Sequence, residues 1–271
     1  MIDALRYEIV RLRTIRSTYW LIGIALALQL AVSTLIAWAI PSSGPNSGGD
    51  RSFALIATIG GAAGFPLFIA YVLGLLGVFS MGHEYRHGMI RATLTALNSR
   101  VMVMAAKTLV TAVVSAAVAF ACALLALLIA LPFGIEMPTF DGFGEVTLGM
   151  VIYTALFALS GLAIATITRN QTAAVTLILL LPSVIEEVVK GVVVVIRAVS
   201  DEPVDQGGMA AVLKFLPYDA GAQMYTQFSI DDLLEVFGVT SFGAVGGGLV
   251  MGGFVAILLA ASTTLFLKRD A

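Results

Sequence analysis

Six apolar stretches, each long enough to cross a membrane as a helix, constrain this chain more than any other feature. They run from Tyr19 to Ile40, Phe53 to Phe79, Val101 to Leu131, Thr147 to Ile167, Thr172 to Ile196 and Ser241 to Leu267. A hydrocarbon core of ~30 Å takes about 20 apolar residues as a helix, and the stretches lack the alternation of apolar and polar residues that a transmembrane barrel needs. Only 12% of the residues are charged, against roughly 25% in an ordinary soluble domain. The expected fold is an all-α polytopic membrane protein, with six transmembrane helices in a single domain over residues 1–271.

Lysine and arginine near the span ends orient the bundle. An inside amino terminus gathers Arg6, Arg11, Arg13, Arg16, Arg86, Arg91, Arg100, Lys107, Arg169, Lys268 and Arg269 on that side and leaves Arg51, Arg197 and Lys214 outside. Both termini are therefore expected in the cytoplasm of a multi-pass cell-membrane protein. The first span ends in Ala37-Trp38-Ala39, but it is longer than the about 7 to 15 apolar residues of a signal peptide and is read as uncleaved. Cys122 is the single cysteine, which excludes an intrachain disulfide.

Ahead of the spans, Ile2, Leu5, Ile9 and Leu12 share one helical face while Arg6, Arg13 and Arg16 lie on others, the pattern of a cytoplasmic interfacial helix over residues 1–18. Gly60/Gly64, Gly243/Gly247 and Gly248/Gly252 have the spacing that lets helices approach closely. Arg169-Asn170-Gln171 is a turn so short that the fourth and fifth spans must be antiparallel neighbours. In the fifth, Pro182 interrupts the helix and Glu186, Glu187 and Lys190 come after it, with Glu186 and Lys190 spaced to pair. Either these residues line a translocation path, or the helix has already reached the outer interface. The extracytoplasmic loop 200–240 holds short helical pieces around Leu216-Pro217-Tyr218-Asp219. They are expected over the outer end of the bundle, as an outer gate with Leu216, Pro217 and Tyr218 or as a solvated loop.

The polar stretch from Met81 to Lys107 carries two competing readings. His83, Glu84 and His87 spell H-E-x-x-H, in which two histidines one turn apart hold zinc and the glutamate activates water. Against it, Arg86 sits beside the metal position, Gly88 ends the helix, and these are the chain's only histidines. A third ligand would have to be a carboxylate, and the acids gather on the opposite side. The other reading is a docking loop over residues 82–100, in which Ile90, Leu94 and Leu97 form one face of a short helix that ends at Asn98-Ser99-Arg100.

The run Glu84-x-x-x-Gly88-x-x-Arg91, then Leu94, Leu97, Ser99-Arg100 and Lys107, resembles the signature between the second and third spans of ABC-2-type permeases, the membrane subunits of ATP-binding cassette exporters. Ser160-Gly161-Leu162 through Thr168-Arg169, and Leu216-Pro217 before the last span, match further. The resemblance implies a type V exporter-like transmembrane domain and a cytoplasmic coupling helix over Met89, Ile90, Arg91, Leu94 and Leu97. Glu84 and Gly88 would anchor its start and Arg100 its basic end. It implies as partners two cytoplasmic ABC ATPase subunits that bind the ATP and Mg, and a second permease copy or sister permease among membrane lipids. No nucleic acid, cofactor or resident metal is expected.

The chain has no G-x-x-x-x-G-K-[ST] phosphate loop, so it is read as a transport subunit and not an enzyme. No buried cluster of like charge marks an ion path, which favours a hydrophobic or amphipathic cargo. Two further classes stand beside this reading: a membrane scaffold or sensor that binds an ATPase without transport, and the intramembrane zinc protease.

Overall fold

The computed structural model describes residues 2–40, 48–58, 67–90, 99–199, 209–226 and 240–268. Every regular element among them is helical, because backbone groups in lipid must be satisfied within the chain. α1 (Ile2–Thr14) and α2 (Arg16–Ala39) are separated by one extended residue, Ile15. α1 buries Ala4, Glu8 and Arg11 and leaves Ile2, Ile9 and Val10 exposed. Of its apolar stripe Ile2 and Ile9 are thus exposed and Leu5 and Leu12 half-buried, and its polar face does the docking.

The second expected span is not a single helix. α3 (Gly49–Ala57) stops at Thr58, and α4 (Phe68–Arg86) begins after Leu67 and runs past the expected end at Phe79. The intervening sequence holds Gly60, Gly61, Gly64 and Pro66, and glycine and a pre-proline residue both disfavour a continuing helix. The Gly60/Gly64 pair lies outside the described residues. α5 (Arg100–Ala130) comes next, capped by Ser99, and leads through a turn at Leu131–Phe133 to α6 (Phe140–Thr168). Asp50, at the start of α3, accepts the N–H of Thr139 at 2.6 Å and so fastens α3 to the start of α6.

α6 is the central helix, packed against α4, α5, α7 and α10. The apolar windows of α4 and α6 are each 67% buried whereas that of α10 is 17% buried, so the core is the α4–α6 pair and α10 is peripheral. Small residues set that pair's close approach: a Cβ on Gly77 would collide with the Ala158 carbonyl, and one on Gly161 with the Gly74 carbonyl. These glycines carry the tightest contact between spans, and the glycine spacings in the sequence do not single them out. The expected pairs in the last span are used differently. Gly247 and Gly248 accommodate Ala220 and Met224, while Gly252 meets nothing within 4 Å.

The fourth-to-fifth turn is as expected. Arg169 takes the left-handed conformation, and the Asn170 side chain accepts the N–H groups of Thr172 and Ala173 to start α7 (Gln171–Leu180). At Pro182, which cannot donate to the helix, the backbone widens into a π turn, Leu181–Ile185, before α8 (Glu186–Val199). Among the described residues five helices are long and apolar enough to cross a membrane; the expected span from Thr172 to Ile196 is divided at this π turn and is not among them.

The segment from Leu216 to Thr226 departs from expectation. After a 3-10 turn, Met209–Phe215, the chain forms α9 (Pro217–Ala222) and a turn leading toward α10 (Gly243–Lys268). It does not lie over the end of the bundle. The Tyr218 hydroxyl donates to Ser160 Oγ at 3.1 Å, a level ~12 Å along α6 from Thr168. Nearer the start of α6, a Cβ on Gly149 would strike the Met224 carbonyl, and one on Gly221 would crowd Met251. The segment is thus inserted between α6 and α10, where short helices are tolerated because protein rather than lipid surrounds them.

Candidate functional site

Two buried charge networks hold this bundle, one at the end of α4 and the other near its start, at mid-length on α6. The first joins α1, α4 and α5. The Lys107 ammonium donates to Glu84 Oε1 at 2.5 Å, Glu8 Oε1 at 2.6 Å and the Ser80 carbonyl at 3.2 Å, which uses all three of its protons. Arg11 bonds Glu8 Oε2 at 2.8 Å, the Ser80 carbonyl at 2.7 Å and Ser80 Oγ at 3.1 Å, and lies 3.9 Å from Glu84. Lys107 and Glu84 are fully buried, Glu8 and Arg11 nearly so. Two acids and two bases leave the cluster neutral, which makes burial tolerable. Glu84 Oε2 has no partner among the described residues.

Glu84 also stands at the base of the turn that ends α4. Met89 N–H reaches the Glu84 carbonyl at 2.9 Å and Gly88 N–H the Tyr85 carbonyl, with Gly88 at φ +66. This is the Schellman arrangement, which needs a left-handed residue at Gly88's position. Beyond it Met89 is 43% exposed and Ile90 is buried. Arg91, Leu94 and Leu97 lie outside the described residues. Arg100, at the start of α5, donates to the Leu267 carbonyl at the end of α10, a favourable place for a cation. Of the expected docking residues, then, the structure ties Glu84 and Gly88 into one turn and puts Arg100 on the same end of the bundle.

The zincin geometry is not formed. The His87 ring turns back on the His83 carbonyl at 2.9 Å, His83 Nε2 faces Ser17 Oγ at 3.5 Å, and Glu84 points the other way into its ion pair. Among the described residues no group of three or more His, Cys, Asp or Glu could hold a metal.

The second network ties α8 to the inserted α9. Glu186 does not pair with Lys190; its two carboxylate oxygens accept the N–H groups of Tyr218 and Asp219, each at 2.9 Å. Those donors open α9 and have no helical acceptor, so a carboxylate there meets both the unpaired groups and the helix dipole. Lys190 instead pairs with Glu187 at 2.5 Å and Asp219 at 2.9 Å. Glu186 is buried, whereas the Glu187 side chain is 35% exposed. Leu216 and Tyr218 are buried, and the Tyr218 ring packs between Phe157 and Phe254. The structure thus joins the expected path residues to the expected gate residues. Asp219 links the two groups, a role that no spacing in the sequence assigns to it.

Residues 4–184 match the ABC-2 family transporter protein family. The chain belongs to the ABC-2 transporter family. It is accordingly the membrane component of an ABC transporter, a family whose members pair with separate ABC ATPase subunits. No curated protein matches the chain. The whole first network falls within the matched stretch of this ABC-2 protein, while Glu186, Lys190 and the inserted α9 lie beyond it.

Proposed function

We propose that this chain is the permease subunit of an ATP-driven exporter, with six crossings and both termini in the cytoplasm, for a hydrophobic or amphipathic substrate. The interrupted helix through α7 and α8 counts as the fifth crossing. Two ATPase subunits dock beneath two permeases at the loop from Gly88 to Arg100, and Met89 through Leu97 form the docked helix. The observation that carries this reading is the neutral network of Glu8, Arg11, Glu84 and Lys107 at the root of that loop. A push on the loop reaches Glu84 first, and Glu84 is bonded to the lysine that also holds α1. The end of α4, the interfacial helix and α5 therefore move as one body. Deeper in the bundle, Glu186 and α9 close the pathway when they are joined and open it when they part.

The test is substrate-stimulated ATP hydrolysis by the reconstituted complex, in wild type and in Glu84→Gln and Leu94→Asp variants. Transport-coupled stimulation that disappears in both, with the subunits still inserted, supports the reading. Stimulation retained in both refutes the docking assignment. An ATPase that binds but moves no substrate in wild type leaves a scaffold.

A further inference from the structure

We infer that a cavity between α6, the turn after α9 and the first half of α10 is a binding site for a cationic amphiphile. The cavity measures about 640 Å³, within the roughly 300–1,000 Å³ of small-molecule sites. Glycines build it. Gly149 on α6 and Gly248 on α10 let the Met224 turn sit between the two helices, because a Cβ on either would run into Met224. The turn wedges the helices apart and leaves the space beside it. Its mouth is apolar: Leu148, Val245 and Leu249 line it and are 61%, 80% and 72% exposed.

Its inner wall is polar. Gln223 is 7% exposed, lines the cavity, and among the described residues has no hydrogen-bond partner for either amide atom. A buried amide without a partner costs about 1–3 kcal/mol; both its atoms are closed off from the cavity, so the side chain recovers that cost by turning toward a ligand that both donates to it and accepts from it. Glu145 is the only charged residue lining the cavity among those described, and it is exposed there. A carboxylate with no basic neighbour in the lining selects a positive head. An alkyl chain between α6 and α10, with a primary ammonium toward Glu145 and Gln223, satisfies the apolar mouth, the amide and the charge together. Binding at this place requires only the folded chain, so it stands or falls separately from docking to an ATPase.

The experiment is photolabelling of the purified full chain in nanodiscs with a long-chain alkylamine bearing a diazirine near its tail, with peptide mapping of the label. Label concentrated on residues 145–152 and 244–249 is expected. It should be displaced by unlabelled dodecylammonium at a concentration roughly tenfold lower than by dodecanoate or dodecanol, the value of one charge-assisted hydrogen bond. Val245→Trp, which fills the mouth from an exposed position, should abolish the focused label, and Gln223→Leu should weaken it. Label spread evenly over lipid-facing helices would overturn the site. Equal displacement by the fatty acid would overturn the cationic assignment. Both of these readings come from the unaltered protein, so a variant that fails to fold does not shelter the proposal.

Discussion

Lys107→Met is the perturbation with the clearest arithmetic. Methionine keeps most of the apolar stem and deletes the ammonium that donates at 2.5, 2.6 and 3.2 Å to Glu84, Glu8 and Ser80. Two carboxylates are then buried around a single guanidinium, which lies 3.9 Å from Glu84. Removing one partner of a buried ion pair costs about 3–5 kcal/mol, because the other charge stays desolvated. Unfolding of the purified subunit by SDS titration should therefore shift by that amount. Glu84→Gln in the same chain removes one stranded charge, so the double variant should be less destabilised than the sum of the singles by about 0.5–3 kcal/mol. A Lys107→Met loss below about 1 kcal/mol, the value of a solvent-exposed pair, would refute a dry network. Additivity of the two changes would refute their direct bond.

Five other substitutions probe the packing and the caps. Gly77→Ala should destabilise the bundle by about 1–3 kcal/mol through overpacking against Ala158, whereas Gly23→Ala, with nothing within 4 Å of the added methyl, should be neutral or stabilising in the same titration. Glu186→Leu orphans the N–H groups of Tyr218 and Asp219 at a cost of roughly 1–3 kcal/mol each, and hydrogen exchange should quicken at those two amides while the α4–α6 core stays protected; unchanged exchange would dissociate Glu186 from α9. Gly88→Ala should lower the thermal midpoint by forcing a Cβ into the left-handed conformation, about 1–2 kcal/mol, while Gly88→Asn should recover most of it. Equal effects of alanine and asparagine would count against the Schellman turn.

Much of this protein is legible one residue at a time. Membrane residence comes from run length and hydropathy, since burial in lipid is a property each apolar segment has alone. The end of α4 at Gly88 and the turn at Asn170 are local for the same reason: a left-handed glycine and a side-chain cap act within a few residues. The spacing of Glu186 and Lys190 also looks local, and there it misleads. A four-residue separation permits a pair on a helix, but the π turn at Pro182 re-aims the helix beyond it, and Glu186 finds stronger donors at the open start of α9.

The tertiary structure alone decided who meets whom across long separations. The partners of Lys107 are Glu8 and Glu84, which no periodicity connects. The 216–226 segment is short and polar enough to lie on the surface, yet it inserts beside α6 because Gly149, Gly221 and Gly247 leave room for its backbone and Glu186 accepts its free N–H groups. Composition settles that the chain enters lipid because that free energy is a sum over residues. It cannot settle which buried charges neutralise one another, because that energy belongs to pairs the fold brings together.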